Sequence, residues 1–440
     1  MALAICGVAS WGFGEGLPAQ TPALDALIAE AEAHWPALAE ATALREAAGA
    51  QATEAHRAYR PSVSVGGTYT LAAGGRAIAI PVGDLLNPVY ASLNGITQTD
   101  AFPQIANVEE QLSPNNFYDA RLRVTQPIYQ PDIPLSRALA AAGVSAREAG
   151  VEVARADLRA AVRTAYFQVA SARTALGIYD AAAALTAEAY RTTSSLVRNG
   201  SALPLARERI VAERARITAE RAGAEAQLAD AAAQLNYLLG RDLDAPPEDA
   251  MADSTLLVAD AEGGLTAKRA ELDQLRSALR VADVELEREG LFRRPRVGLQ
   301  VDAGSQDFDL GLQPYLLAGL SVEVPLYDGA RHEARARRLR AERAAAAARI
   351  ETARRGFDLE AETARNALAA ARAALAAYAP ALAAAERTYR DAERLYRAGE
   401  TGYVELIDAQ NQLTTTRLQR ALAAYGVSLR RVALWRALGQ

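Results

Sequence analysis

Cysteine is nearly absent from this sequence of 440 residues, since Cys6 is its one thiol. A single cysteine excludes an intramolecular disulfide framework and any metal cluster held by several thiolates. Histidine is scarce as well, and the three present are His34, His56 and His332. None of them has a second histidine or a carboxylate at the spacing typical of a metal site, so we expect neither a bound metal nor a cofactor.

Aromatic residues are also few, at 6% of a chain that is 50% hydrophobic. Much of the apolar share is alanine. Small side chains do not fill a thick core, whereas they let helices pack closely along a seam. The composition therefore predicts closely packed seams of small side chains.

The chain lacks large blocks of one sign of charge. Its 48 basic and 53 acidic residues are scattered along the same segments and give a formal net charge of −5. This distribution is typical of solvated helix surfaces, and it does not form the basic footprint of a nucleic-acid-binding protein. No set of nucleophile, base and orienting residue can be assembled, so we predict that the protein is not an enzyme.

The N-terminal segment indicates export. Residues 1–14 are apolar and small, like the later part of a secretory signal, although the basic residues that open such a signal are missing. We interpret residues 1–20 as the remainder of an export signal or as a disordered start. Cys6 is a candidate for lipidation, even though Ile5 stands where a small residue is usual. No later run of about 18 apolar residues follows, so we predict no transmembrane helix.

The second half of the chain repeats the first. The stretch "AYRTTSSLVRNG" (189–200) matches "TYRDAERLYRAG" (388–399), and "LNYLLG" matches "LWRALG". From Tyr190 and Tyr389 onward the two copies align without a gap. We therefore divide the chain into a first repeat (21–240), a linker rich in proline and aspartate (241–264) and a second repeat (265–440).

Each repeat contains one very long helix with a seven-residue apolar period, which is typical of a coiled-coil seam. The first of these helices runs from about residue 135 to 198. About 60 helical residues at 1.5 Å each span roughly 90 to 100 Å, so we expect a rod or a tube. A glycine ends each long helix, in "VRNG" and "YRAG", after which a second helix returns antiparallel. The apolar positions of the first helix are Val151, Leu158, Ala165, Ala172, Val162, Val169 and Leu176.

Each repeat also contains two segments that alternate between apolar and polar residues, which predicts β-strands. These strands are residues 61–71, 121–129, 295–304 and 315–327. One face of the resulting sheet is uniformly apolar. The other face is polar and carries the side chains of Arg121, Arg123, Gln300, Asp302 and Glu323.

Two environments suit such a sheet. One is a soluble antiparallel sheet with its apolar side on a core, and the other is a membrane barrel with a water-filled lumen. Four strands cannot close a barrel, which needs about eight, and an open sheet in lipid leaves unsatisfied edges. Strands in a membrane must therefore be pooled by several chains, and three chains would supply about twelve. Residues 72–114, rich in Gly, Pro and Asn, would form an outer loop.

The duplicated unit resembles the TolC-like outer-membrane efflux proteins over nearly the whole chain, from about residue 21 to 439. The motifs that carry the resemblance are "RPSVSV", "PLYDG" and "RAGETGYVELIDAQ", while "HWPAL" stands where the family usually has Asn-Pro-x-Leu. The resemblance implies a mainly α-helical fold with long antiparallel coiled-coil helices and four strands per chain. In a homotrimer the strands form a twelve-stranded barrel in the Gram-negative outer membrane, continuous with an α-helical tunnel across the periplasm.

The resemblance also implies a function and partners. The family's trimers are passive exit ducts that dock to a periplasmic adaptor protein and to an inner-membrane pump or secretion transporter. It further assigns the residues after the Gly399 break. Glu405 and Asp408 share one helix face, and at the periplasmic tip threefold symmetry would make each a ring of carboxylates facing the pore. The spacing alone is more typical of a solvated helix face.

Two further sets of tip residues receive roles from the resemblance. Arg209 occupies the position of Asp408 in the first repeat, and we predict that a contact between the two holds the tip closed. The turns that we expect to contact the adaptor contain Asn199, Gly200, Ala398 and Gly399.

The alternative is a soluble or peripheral coiled-coil scaffold without a pore. The charges on one face of the sheet distinguish the two. Arg121, Arg123, Asp302 and Glu323 suit a water-filled lumen and gain nothing in a scaffold, so the channel is our prediction.

Overall fold

The computed structural model describes residues 22–111, 116–246, 269–308 and 310–439. The predicted export signal, Cys6 and residues 247–264 of the predicted linker lie outside the described residues. The chain divides into two compact units. The strand unit comprises Gln51–Ala140 and Asp283–Arg340, and the helical unit comprises the described parts of Met1–Ala50, Ala141–Ala282 and Ala341–Gln440.

Eight helices and six strands follow one another in the described residues. In chain order the helices are α1 (Pro22–His34), α2 (Pro36–Arg57), α3 (Val82–Thr97), α4 (Asp132–Arg198), α5 (Pro204–Leu239), α6 (Ala270–Gly290), α7 (Arg331–Ala398) and α8 (Tyr403–Ala437). The strands are β1 (Ser62–Thr70), β2 (Ala77–Ile80), β3 (Val108–Gln111), β4 (Phe117–Tyr129), β5 (Arg296–Asp307) and β6 (Pro314–Glu323). The mainly helical fold is confirmed, although β4 begins before the predicted residue 121 and β6 ends before residue 327.

Strands β1, β4, β5 and β6 form one antiparallel sheet in that order. Val65 lies opposite Leu122, Leu122 opposite Ala303, and Ala303 opposite Leu316. Residues directly opposite one another share a face of the sheet. The alternation predicted in each strand therefore adds up to one continuous apolar face.

The segment 72–114 is more ordered than the predicted outer loop. Its described part contains β2 and β3, which pair with each other, and the 16-residue helix α3 between them in sequence. Asn87 exchanges two hydrogen bonds with the backbone of Ile105, at 2.9 Å each. Asn94 does the same with Phe102, at 2.7 and 3.0 Å. The glycines, prolines and asparagines predicted an irregular segment. In the structure, however, two of the asparagines connect α3 to the backbone of the residues that follow it.

Seams of small and aliphatic side chains hold the helical unit together. Val162 and Val169 of α4 are 0% exposed, as the seven-residue period predicted. The matching line of α7 buries Ala361 completely and leaves Leu368 6% exposed. Alanine in such a line allows two helix backbones to approach closely, and this confirms the coiled-coil interpretation.

Helix α7 contains a stretch that is long and apolar enough to cross a membrane by length and composition, contrary to the expectation of none. Its mean hydropathy is 1.4, and 6% of the stretch is buried. The disagreement arises because the many alanines raise the mean hydropathy of the stretch, while Arg372 interrupts the apolar run. One such stretch is weak evidence for a membrane span, and α7 belongs to the helical seam.

A buried arginine connects three helices of the helical unit. The side chain of Arg269, directly before α6, is 3% exposed. Its Nη1 donates to Oε2 of Glu360 on α7 at 2.7 Å and to the carbonyl of Ala437 at the end of α8 at 3.0 Å. The guanidinium lies 4.0 Å from the centre of the Phe357 ring. A planar group with several donors can satisfy all these contacts at once.

Replacing Arg269 by alanine should lower the free energy of unfolding by roughly 2–3 kcal/mol, because the Ala437 carbonyl and Glu360 lose their donor and a void opens against Phe357. This is less than for a fully buried pair, since Glu360 is half exposed. Thermal unfolding of the detergent-extracted protein, followed by circular dichroism, measures the change as a fall in Tm.

The matched control is Arg276→Ala, which removes an exposed ion pair with Asp273 at 2.8 Å. Exposed pairs contribute about 0–1 kcal/mol. Equal Tm values for the Arg269 and Arg276 variants would contradict the role of Arg269.

Candidate functional site

The apolar face of the four-stranded sheet is exposed in the single chain. Val65 is 83% exposed, Leu316 75% and Leu320 67%. Monomeric soluble proteins rarely expose a continuous apolar area of this kind. The face therefore requires apolar surroundings that the chain itself does not supply.

The opposite face carries a fixed ion pair in its centre. Arg123 of β4 lies opposite Asp302 of β5, and the two form a bidentate contact with Nε–Oδ1 at 2.8 Å and Nη2–Oδ2 at 2.9 Å. Gln300 also donates to Asp302, at 2.9 Å. Although Asp302 points to the predicted lumen, it is 3% exposed because these neighbours cover it. Paired planar groups in this arrangement hold each other in one orientation.

Arg121 is also paired. Its Nη1 lies 2.6 Å from Oδ2 of Asp119, and the Tyr315 hydroxyl donates to the other oxygen of the same carboxylate at 2.8 Å. The sequence analysis named neither Asp119 nor Tyr315, although both fall on the polar side of the predicted alternation. Both arginines predicted for the lumen thus have a carboxylate partner that balances their charge.

The polar face of β6 is less regular than the predicted alternation. Glu323 is exposed, as expected for a lumen residue, and it lies opposite Arg296 in the sheet register. The Arg296 side chain contacts Asp132 instead, at 2.9 Å. Leu317, which is 58% exposed, lies opposite Asp302 and so interrupts the polar face. Alternation in β6 therefore predicted the apolar face better than the polar one.

The two predicted tip turns have the same backbone structure. Gly200 follows α4 with a φ of +72°, and Gly399 follows α7 with a φ of +77°. The residue after each glycine donates its N–H to the carbonyl five residues earlier, as from Ser201 to Leu196, at 2.9 Å in both turns. This is the Schellman helix end, which needs a left-handed residue and favours glycine. The four residues predicted to contact an adaptor are all exposed: Asn199, Gly200, Ala398 and Gly399.

A buried tyrosine pair that the sequence analysis did not identify lies beside these turns. The Tyr396 hydroxyl is 2.6 Å from the Thr193 hydroxyl, and the Tyr403 ring meets the Tyr396 ring edge-on with centroids 5.9 Å apart. The Tyr403 hydroxyl is buried and has no hydrogen-bond partner among the described residues. Burial raises the pKa of Tyr403, and the nearby carboxylate of Glu213 adds to this. The sequence signal that could have identified this pair is the presence of two tyrosines within eight residues of a chain that has few aromatic residues.

The predicted gate residues lie on the surface of the helical unit. Glu405 and Asp408 are exposed in the first turns of α8, and Arg209 is exposed on α5. Among the described residues of one chain, no ion pair joins Arg209 to Asp408, so that contact stays a prediction for the assembled protein. Arg209 lines a groove of about 320 Å³ together with Leu203 and Val404. These two apolar side chains are 74% and 49% exposed.

One histidine contacts a carboxylate after all. Nδ1 of His332 lies 2.9 Å from Oδ1 of Asp328, and the imidazole stacks on the Phe292 ring with centroids 4.4 Å apart. Asp328 precedes α7, and its other carboxylate oxygen accepts the backbone N–H of His332 at 2.9 Å. In the described ranges no three potential ligands come together as a metal site. We therefore interpret the pair as an anchor for the start of α7.

Comparisons with known proteins agree with this geometry. Residues 256–440 match the sequence model of a family described as Outer membrane efflux protein. No curated protein matches the chain by sequence. Three outer-membrane channels are among the solved structures that share its fold. They are the outer-membrane channel OprN (20% identity, 95% of this chain and 90% of that chain, TM-score 0.77), VceC from Vibrio cholerae (18%, 95% and 96%, 0.71) and the MtrE channel of Neisseria gonorrhoeae (18%, 95% and 89%, 0.73).

The fold of the chain, including the sheet with one apolar and one polar face, is the fold of these outer-membrane channels. The second repeat therefore matches the outer-membrane efflux proteins by sequence, and the chain shares its fold with solved outer-membrane channels over both repeats.

The central ion pair predicts how substitutions change ion selectivity. Asp302→Asn leaves Arg123 unpaired and should favour anions, whereas Arg123→Gln leaves Asp302 unpaired and should favour cations. We expect roughly a twofold change in the cation-to-anion permeability ratio in each direction. Reversal potentials across a planar bilayer in a salt gradient measure this ratio.

The double variant R123Q/D302N is the matched control. It removes one charge of each sign, so its reversal potential should return to that of the unsubstituted protein. If neither single variant moves the reversal potential, the pair does not face the path of the ions.

Proposed function

We propose that this protein is the passive exit duct of a tripartite efflux or secretion system, built from three copies of the chain. The open edges of the sheet carry the proposal. β1 and β6 are edge strands, each paired on one side among the described residues. Lipid offers no hydrogen bonds, so a membrane tolerates such edges only when they pair. Pairing β6 of one chain with β1 of the next removes every edge, and three copies supply about twelve strands.

This arrangement gives each face of the sheet a suitable solvent. The exposed apolar side chains, such as Val65 and Leu320, contact the outer-membrane lipid. The side with the Arg123–Asp302 pair lines a water-filled lumen, where the charges keep part of their hydration. A scaffold without a pore leaves the apolar face uncovered, and this disfavours the alternative function.

Contact with a periplasmic adaptor fits the tip groove. The exposed side chains of Leu203 and Val404 offer apolar contact area, and Arg209 at the same groove offers a charge. Interfaces commonly combine an apolar centre with a polar margin. The adjoining turns at Gly200 and Gly399 have rigid Schellman geometry, so a partner meets a preformed surface. Energy for transport comes from the inner-membrane pump or secretion transporter.

The acidic residues of α8 form the gate in this proposal. With threefold symmetry, Glu405 and Asp408 each become a ring of carboxylates at the periplasmic entrance. Such rings attract cations and repel one another, so a cation or an arginine stabilises the closed arrangement. Arg209 is the candidate arginine, and the matching position in the second repeat is Asp408 itself. Because the first repeat has no acids at the equivalent positions, the second repeat supplies all of them.

The experiment that tests the function is membrane fractionation of the protein expressed with an export signal, followed by mass determination of the detergent-extracted particle. We expect a particle of three chains in the outer-membrane fraction, because only pooled strands satisfy the sheet edges in lipid. A soluble monomer or dimer would mean that the apolar sheet face packs on protein, and the scaffold would replace the duct.

The gate is tested by block with a trivalent cation. In planar bilayers the variant E405Q/D408N should need at least about tenfold more cation for half-maximal block, since a ring of carboxylates binds a multivalent cation far more tightly than amides do. Glu362→Gln on α7 is the matched control, because it removes an exposed acid outside α8.

Arg209→Ala examines the closed state in the same recordings. Loss of the predicted contact with Asp408 should raise the leak conductance. An unchanged leak would rule out Arg209 as a latch, and unchanged block in E405Q/D408N would place the entrance elsewhere.

A further inference from the structure

The Arg-Pro pair that precedes the first strand of each repeat has no role in the duct described so far. Arg60 and Pro61 come directly before β1, and Arg294 and Pro295 come directly before β5. Proline fixes its own φ and restricts the preceding residue to extended conformations. The backbone of each arginine is therefore restricted, so its side chain projects in a limited range of directions at the start of the strand. Arg293 adds a second guanidinium in the second repeat.

Hydrogen bonds hold the first turn in place, and an aromatic stacking contact holds the second. In the first turn the Tyr59 hydroxyl donates to the carbonyl of Gln130 at 3.0 Å, and Gln126 donates to the Tyr59 carbonyl at 2.7 Å. In the second turn Phe292 stacks on His332. The backbone of each turn is thus anchored to the rest of the strand unit.

The arginine side chains themselves are directed to solvent. Arg60, Arg293 and Arg294 are exposed, and none forms an ion pair with another described residue. Other arginines at this end of the sheet are occupied: Arg296 contacts Asp132, and Arg335 contacts Glu289. The three free guanidinium groups are therefore available to a ligand.

The chain topology places these arginines at one boundary of the membrane. All four helix junctions, with α2, α4, α6 and α7, lie at the same end of the antiparallel sheet, while the connections β1–β4 and β5–β6 lie at the other end. Because the protein extends into the periplasm, the helix-joined end is the periplasmic one. Exposed Tyr129, Leu326 and Tyr327 lie at this end as well, as expected where strands leave lipid.

The two ends of the sheet differ in how their charges are paired. At the helix-joined end Asp132, Glu289 and Asp328 each contact a basic side chain, and Glu323 is exposed. The connection at the outer end carries the exposed acids Asp100, Glu109 and Glu110, and Arg76 is its one basic residue among positions 71–111. The three unpaired guanidinium groups are thus the groups at this boundary that an anionic ligand can reach, whereas the connection at the outer end offers mainly carboxylates.

We propose that Arg60, Arg293 and Arg294 form a binding site for the phosphate groups of anionic phospholipids in the periplasmic leaflet of the outer membrane. This site rests on the proposed trimeric duct, which places the apolar sheet face in lipid. Guanidinium groups bind phosphate oxygens in a bidentate manner. The lipid tails continue along the exposed apolar face, and three chains arrange the arginines as a ring. Bound lipid anchors the duct at a fixed depth in the membrane.

Native mass spectrometry of the detergent-extracted full chain, titrated with cardiolipin, tests the site. Neutralising an arginine at a membrane surface weakens binding to anionic lipid by about fivefold, so the variant R60Q/R293Q/R294Q should bind cardiolipin at least about tenfold more weakly. The control R349Q/R354Q/R387Q removes three exposed arginines of α7 that form no ion pair with described residues, and its cardiolipin affinity should be unchanged. Zwitterionic phosphatidylethanolamine should bind weakly to all three proteins.

The same spectra separate the possible failures. A trimer whose cardiolipin affinity is equal in the two triple variants overturns the lipid site and leaves the duct intact. Absence of a trimer in the unsubstituted protein overturns the duct. Inorganic phosphate that displaces cardiolipin at equal concentration identifies a general anion site and also overturns the proposal. If R60Q/R293Q/R294Q does not assemble, Arg294→Gln alone should bind cardiolipin about fivefold more weakly, and an unchanged affinity counts against the site.

Discussion

A bilayer offers no hydrogen bonds to the polypeptide backbone, and the rest of this structure depends on that constraint. One chain contributes four strands, which leaves two open edges and an uncovered apolar face. Neither is stable in a single chain. In the proposed duct, assembly with further copies satisfies the edges, lipid covers the apolar face, and water reaches the polar face. The proposal therefore accounts for both exposed features of the single chain by one assembly.

The two regions that carry charge differ in how the charges are arranged. On the sheet, Arg123 is paired with Asp302 and Arg121 with Asp119, so these four charges are balanced and their side chains have fixed positions. On α8, by contrast, Glu405 and Asp408 form no ion pair with the residues that the structure describes, and both are exposed. Balanced pairs suit a wide passage that should not select strongly among solutes. Unpaired carboxylates suit a constriction whose state depends on what approaches it.

Periodicity in the sequence predicted much of this fold. The seven-residue period in α4 identified Val162 and Val169 as buried, and alternation identified the four strands of the main sheet and their apolar face. The glycines at 200 and 399 predicted both helix ends. These signals are local, because a residue's place in a helix or strand decides which way it points. The order within segment 72–114 was missed, since Asn87 and Asn94 act through contacts 18 and 8 residues away.

The sequence by itself determined the repeat, the element types, the apolar and polar faces and the resemblance to the TolC-like family. Only the tertiary structure decided which charges are paired. Arg123 and Asp302 are 179 residues apart, and their contact exists because β4 and β5 are neighbours in one particular register. The buried Tyr396 and Tyr403 pair and the links made by Arg269 arise in the same way. The sequence pattern fixes the direction of a side chain relative to its own helix or strand. The residue that this side chain contacts depends on which helices and strands pack together.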